Sequence, residues 1–112
     1  MTGLLYEDLG CLDYLAALAL QERILERKQR KTLGDVLLFV EHPHVYTLGR
    51  GGKLSNVLAA LDVAVIRTSR GGDVTYHGPG QMVVYPLIDL RSRLRKDVHR
   101  YLRNLELSAI RT

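Results

Sequence analysis

A single cysteine, Cys11, leaves this chain without any possible internal disulfide. No apolar run approaches the length of a membrane span. Residues Met1 to Asp8 carry neither the basic start nor the apolar core of a secretion signal. Together these absences predict a cytoplasmic protein with no membrane partner. There is no repeat of solenoid length and no low-complexity segment. No glycine-rich stretch ends in Gly-Lys-Ser or Gly-Lys-Thr, which excludes a P-loop. Neither Gly49-Arg50-Gly51-Gly52 nor Arg70-Gly71-Gly72 has the spacing of a dinucleotide fingerprint. His42-Pro43-His44 has no third histidine or cysteine at ligand spacing, so it reads as a bend and not as a metal site.

What remains is ordinary in bulk and unusual in one place. The 112 residues suffice for one domain, with 46% hydrophobic and 25% charged residues. The formal charge is +4, with Arg91, Arg93, Arg95, Lys96, Arg100, Arg103 and Arg111 near the C-terminus. Such a stretch is either a solvated helix face or a surface that steers an acidic partner.

The pattern along the chain alternates strands and helices. Leu4 to Leu9 reads as an edge strand. Asp13 is placed to cap a helix whose inner face is Tyr14, Ala17, Leu18, Gln21 and Leu25, fading near Lys31. The continuous run Val36 to Val40 predicts a strand buried on both faces, broken at His42-Pro43 and followed by Val45 to Leu48. Gly49 to Asn56 reads as a loop, Ser55 or Asn56 to Leu61 as a short helix, and Val63 to Arg67 as a strand. Met82 to Leu90 reads as a long strand in which Pro86 demands an edge or a bulge. Asp97 caps a last helix with Val98, Tyr101, Leu102, Leu105 and Ala109 inward. That helix runs to Thr112 with no stop signal and predicts a truncated domain.

The unusual place is Arg70 to Pro86, which holds four glycines and two prolines. Glycine at this density allows tight turns and close approach of backbone to a ligand. Arg70 offers a fixed fork of donors suited to a carboxylate, phosphate or carbonyl. If Val74 to His77 is extended, Thr75 and His77 share one face, and Val74 and Tyr76 the other. Gly78-Pro79-Gly80 then turns the chain back into the next strand. The two Arg-Gly-Gly triplets are single and flanked by strands, unlike repeated RNA-binding segments, so no nucleic-acid partner is expected.

Arg70 to Tyr85 resembles the signature of the octanoyltransferases of lipoate biosynthesis nearly in full. Leu20-Gln21, Glu41 to Arg50, and Val98-His99 through Ile110-Arg111-Thr112 are similar to other segments of that family. The resemblance implies an α+β fold like that of biotin and lipoate protein ligases, a mixed sheet flanked by helices. Residues 1–112 would form the N-terminal part of one catalytic domain. It implies transfer of an octanoyl group from octanoyl-acyl carrier protein to a lysine of the lipoyl domains of lipoate-dependent enzymes, with no cofactor and no metal. The substrate site would be Arg70, Gly71, Gly72, Asp73, Val74, Thr75, Tyr76 and His77, shaped by Gly78 and Gly80. The family's acyl-bearing cysteine and its lysine partner would lie beyond Thr112, so no catalytic residue is expected within this chain. Cys11 matches neither and is not expected to replace the cysteine.

Two other readings compete. An ATP-using lipoate or biotin ligase relative would need a different loop from Gly78-Pro79-Gly80-Gln81. A non-catalytic basic module would bind an acidic partner in a salt-dependent way. Half a domain would also expose apolar faces, and would aggregate, pair with itself or be partly molten.

Overall fold

The computed structural model describes residues 3–54, 63–93 and 97–112. The elements are β1 (Leu4–Cys11), α1 (Tyr14–Gln29), β2 (Asp35–Glu41), β3 (Val45–Leu48), β4 (Ala64–Arg67), β5 (Val74–His77), β6 (Val83–Leu87), α2 (Leu90–Arg93) and α3 (Val98–Arg111). They form two three-stranded mixed sheets, ordered β1-β2-β6 and β4-β3-β5. In each, the central strand has one parallel and one antiparallel neighbour. The fold is therefore α+β as expected, with the mixed sheet realised as two small ones. The short helix expected over Ser55 or Asn56 to Leu61 falls outside the described residues.

Asp13 caps α1 as its sequence suggests, accepting from Leu15 N–H at 3.1 Å and Ala16 N–H at 3.4 Å. The helix ends at Arg30, and Lys31 follows at φ 58°. Ala17 is fully buried, and Tyr14, Leu18, Gln21, Ile24 and Lys28 are buried in part. Leu25, assigned to the inner face from its spacing, lies 43% exposed instead. The covered stripe Tyr14, Ala17, Gln21, Ile24 and Lys28 instead keeps alternating steps of three and four, and Leu25 lies one position beyond it.

The run Val36 to Val40 is not buried on both faces. Val36, Leu38 and Val40 are buried, whereas Leu37 and Phe39 are only half covered. The strand places alternate side chains on opposite faces, and one of these faces is partly open. There Tyr6, Asp8, Leu37, Phe39 and Met82 border a shallow hollow of about 340 Å³.

Pro86 sits on β6, an edge strand of its sheet, as its missing N–H requires. The strand itself is shorter than the expected Met82 to Leu90, because Asp89 turns away to bond Asp35. Asp35 Oδ1 also accepts from Lys28 Nζ at 2.8 Å, and Lys28 donates to the Gly34 carbonyl at 3.0 Å. This ion pair, with side chains 12% and 8% exposed, ties the end of α1 to the start of β2 and the exit of β6.

The helix capped by Asp97 also forms, with Asp97 Oδ1 accepting from Arg100 N–H at 3.0 Å. Its expected inner face is not inward. No residue of α3 is buried, and only Tyr101 is covered in part. Val98 is 53% and Leu102 49% exposed. The amphipathic pattern is real, but no described element encloses it.

Candidate functional site

Two glycine-rich loops meet at the end of the β4-β3-β5 sheet. One leaves β3 through Gly49-Arg50-Gly51-Gly52, and the other enters β5 through Arg70-Gly71-Gly72-Asp73. Their backbones interlock: Gly49 N–H donates to the Asp73 carbonyl at 2.7 Å, Arg50 N–H to Arg70 at 2.9 Å and Gly51 N–H to Gly72 at 3.1 Å. A Cβ on Gly49 would strike the Gly72 carbonyl oxygen and come within 2.7 Å of the Gly71 carbonyl oxygen, so only glycine permits this approach.

Arg70 fastens the same junction. Its Nη2 donates to the Thr47 carbonyl at 2.9 Å, Thr47 Oγ1 at 2.8 Å and the Asp73 carbonyl at 3.3 Å, and its Nη1 to the Gly71 carbonyl at 2.8 Å. The guanidinium thus holds the loop's shape with donors that the sequence left available for a ligand. Gly71, Gly72 and Asp73 are exposed on the rim, and Asp73 Oδ1 accepts from Lys53 N–H at 3.4 Å.

Strand β5 is extended, and its two faces diverge as its alternation implies. Tyr76 points to one side, where it bonds His44 Nδ1 and lies 5.3 Å from the Tyr46 ring. His77 points to the other, where its ring stacks on Tyr14 at 6.3 Å and 15°. Thr75 stands opposite Thr47, which is fully buried, and Val74 opposite Leu48.

The centre of the His77 side is His42. It is fully buried at the end of β2, with its ring 5.3 Å from Tyr14, 5.5 Å from His77 and 5.8 Å from Tyr85. Its Nδ1 lies 2.8 Å from the Leu12 carbonyl, which can only accept, so Nδ1 carries a hydrogen. Its Nε2 lies 2.7 Å from the Tyr85 hydroxyl. Burial, with the nearby Tyr14, pushes the Tyr85 pKa up to about 12, so that hydroxyl keeps its proton and donates to Nε2. Both ring nitrogens of His42 are thereby used inside the protein.

His42 and Tyr85 were not among the site residues read from the sequence, where His42 served only to break a strand. A signal was present: His42 continues the buried series Val36, Leu38, Val40 in steps of two. His42 turns inward and His44 contacts Tyr76 on the other side, so the His-Pro-His segment is a bend, as its proline implies. Among the described residues no cluster of three metal-ligating side chains occurs. No helix among them is long and apolar enough to cross a membrane. Cys11 is exposed at the end of β1.

Two interlocked glycine loops thus close one end of β5, and His77, stacked on Tyr14, stands at its other end. Residues 13–112 match the lipoyl protein ligase A/B catalytic domain, and the chain belongs to that family. It is 50% identical to an octanoyltransferase of Solibacter usitatus over 111 residues, which is 94% of this chain and 50% of that protein. It is 52% identical to one of Geobacter metallireducens over 103 residues, 92% of this chain and 47% of that relative. With one of Flavobacterium johnsoniae the identity is 44% over 123 residues, 95% of this chain and 53% of the relative. The chain thus spans about half the length of the curated relatives it matches.

Proposed function

We propose that this chain supplies the acyl-substrate side of an octanoyltransferase. The enzyme takes an octanoyl group from octanoyl-acyl carrier protein and passes it to a lysine of a lipoyl domain. The observation that carries the reading is identity of 44% to 52% with octanoyltransferases across more than nine tenths of the chain.

The geometry supports it. Arg70, Gly71, Gly72 and Asp73 give a loop of fixed shape, and Val74, Thr75, Tyr76 and His77 carry it into the sheet. In this reading the loop's exposed backbone lies along the acyl thioester, and Thr75 and His77 line its inner side. A cysteine outside these residues carries the acyl group as a thioester, with a lysine beside it favouring the thiolate. A thioester exchange, which frees the carrier's thiol, followed by attack of the lysine amine, which forms the amide and frees the cysteine, divides one transfer into two easier steps. The protein works in the cytoplasm, where carrier protein and lipoyl domains meet.

The test is transfer by the intact gene product. Its mass is measured first, then octanoyl loading of a lipoyl-domain lysine is followed by mass spectrometry with octanoyl-acyl carrier protein as donor and no nucleotide. Modification of the lysine without ATP supports the transferase. The matched family also includes lipoyl protein ligases. Modification only with free octanoate and ATP would replace the transferase by a ligase.

A further inference from the structure

We propose that Gln81 is a positioning residue that holds His77 in one tautomer, with its Nε2 lone pair turned to the substrate side. This rests on the transferase reading for its purpose, though not for its geometry.

Gln81 Nε2 donates to the Tyr76 carbonyl at 3.1 Å. A carbonyl only accepts, so the amide has one orientation. The other end, Oε1, then lies 2.6 Å from His77 Nδ1. An amide oxygen cannot donate, so Nδ1 carries the hydrogen, and in the neutral ring Nε2 is the acceptor. Flipping the amide would set two acceptors face to face at Tyr76. The turn that presents Gln81 is itself staked down. Gln81 N–H donates to the Gly78 carbonyl at 3.1 Å, and Gly80, at φ 86°, donates to Glu41 Oε1 at 3.0 Å. Stacking on Tyr14 fixes the ring plane.

Among the described residues His77 Nε2 makes no hydrogen bond, whereas His42 spends both nitrogens inside the fold. A lone pair at this position receives a donor. In acyl transfer the donor is the nucleophile, the lysine N–H or a thiol S–H, which must give up a proton as it attacks. The same tautomer makes neutral His77 a poor partner for the thioester oxygen, which only accepts. Gln81 acts through His77 and touches no reacting atom.

The experiment uses the intact gene product labelled with ¹⁵N-histidine. The His77 resonances are identified by their loss in His77→Gln. The expected spectrum shows His77 as the Nδ1–H tautomer, and Gln81→Leu converts it to a mixture or to Nε2–H. Gln81→Glu, whose carboxylate also accepts, retains Nδ1–H. His42 keeping its Nδ1–H tautomer in both variants shows that the fold is intact. In octanoyl transfer Gln81→Leu lowers kcat about 10- to 100-fold with KM changed less, and Gln81→Glu restores part of it. Wild-type His77 in the Nε2–H form, or a tautomer indifferent to Gln81→Leu, overturns the proposal and leaves the transferase reading standing. The expected spectra in a protein without transferase activity would overturn that reading and leave the clamp.

Discussion

Between Asp35 and Gly49 every residue except Pro43 and His44 is buried wholly or in part, whereas α3 buries none. The difference is not one of local structure, since both segments form the element their sequence favours and α3 has a capping aspartate. It lies in what surrounds them. The first segment has strands on both sides of β2 and of β3. It also carries three buried polar residues, Asp35, His42 and Thr47, all with hydrogen-bond partners. In α3, Val98, Leu102, Leu105 and Ile110 remain exposed. An apolar stripe contributes stability only through the surface that covers it. Breaking the first segment therefore costs much, and altering the second costs little.

The largest loss is expected at Asp35. Asp35→Ala removes the partner of a nearly buried lysine and the acceptor of the Asp89 N–H. The expected destabilisation is about 3 kcal/mol, because a nearly buried ammonium loses its ion-pair carboxylate. Chemical denaturation of wild type and variant measures it. A change under 1 kcal/mol would mean that the junction of α1, β2 and β6 is open to water.

Gly49→Ala comes next. The added methyl group meets the carbonyls of the partner loop, which must separate. An overpacked site of this kind costs about 2 kcal/mol, and here the loop bonds of Arg50 and Gly51 are lost with it. Amide hydrogen exchange at Gly49 and Gly51 should quicken while α3 is unaffected. Uniform quickening would erase the contrast between the two regions.

Tyr85→Phe probes the buried histidine alone. It leaves His42 Nε2 without its donor in a site closed to solvent, at a cost of about 1 to 2 kcal/mol. The same hydroxyl sets an alkaline limit. Its folded pKa of about 12 stands above the unfolded 10.0, so the folded state binds the proton more tightly. The contribution of Tyr85 is complete below pH 10 and is lost as pH rises toward 12. Denaturation at several pH values should show wild type and Tyr85→Phe converging across that window. A constant gap would mean that the hydroxyl ionises normally.

The sequence made these elements legible where a rule acts on neighbours along the chain. Asp13 and Asp97 cap helices, Pro86 lies on an edge, and Thr75 and His77 diverge from Tyr76, because each follows from local geometry. The α+β class came with the family resemblance of Arg70 to Tyr85, and the strands and helices read along the chain agree with it. What escaped depends on contacts distant in sequence. Whether Arg70 faces a ligand or its own protein is decided by Thr47, which comes to it from another strand. His42 gained its importance from Leu12 and Tyr85, neither of them near in sequence. The run Val36 to Val40 named a buried strand correctly but not the half-open face, since a continuous apolar run does not report how many layers cover it.

The smallest effect is expected in α3, and it tests the comparison from the other side. Leu102→Ser with Leu105→Ser replaces two leucines that are 49% and 36% exposed. Serine forms helix less readily than leucine, so each change costs up to about 0.5 kcal/mol within α3 itself. Beyond that local term nothing buried is removed, and the melting of residues 1–112 should scarcely shift. Circular dichroism across a range of protein concentrations separates two accounts. If the leucines are bare in solution, the small gap between wild type and variant is the same at every concentration. If the face associates with another copy, the wild type gains stability with concentration and the double variant does not, because only the former has apolar area to bury. A large loss at the lowest concentration would show that the leucines are enclosed within the single chain, and the contrast with the Asp35 to Gly49 segment would fall.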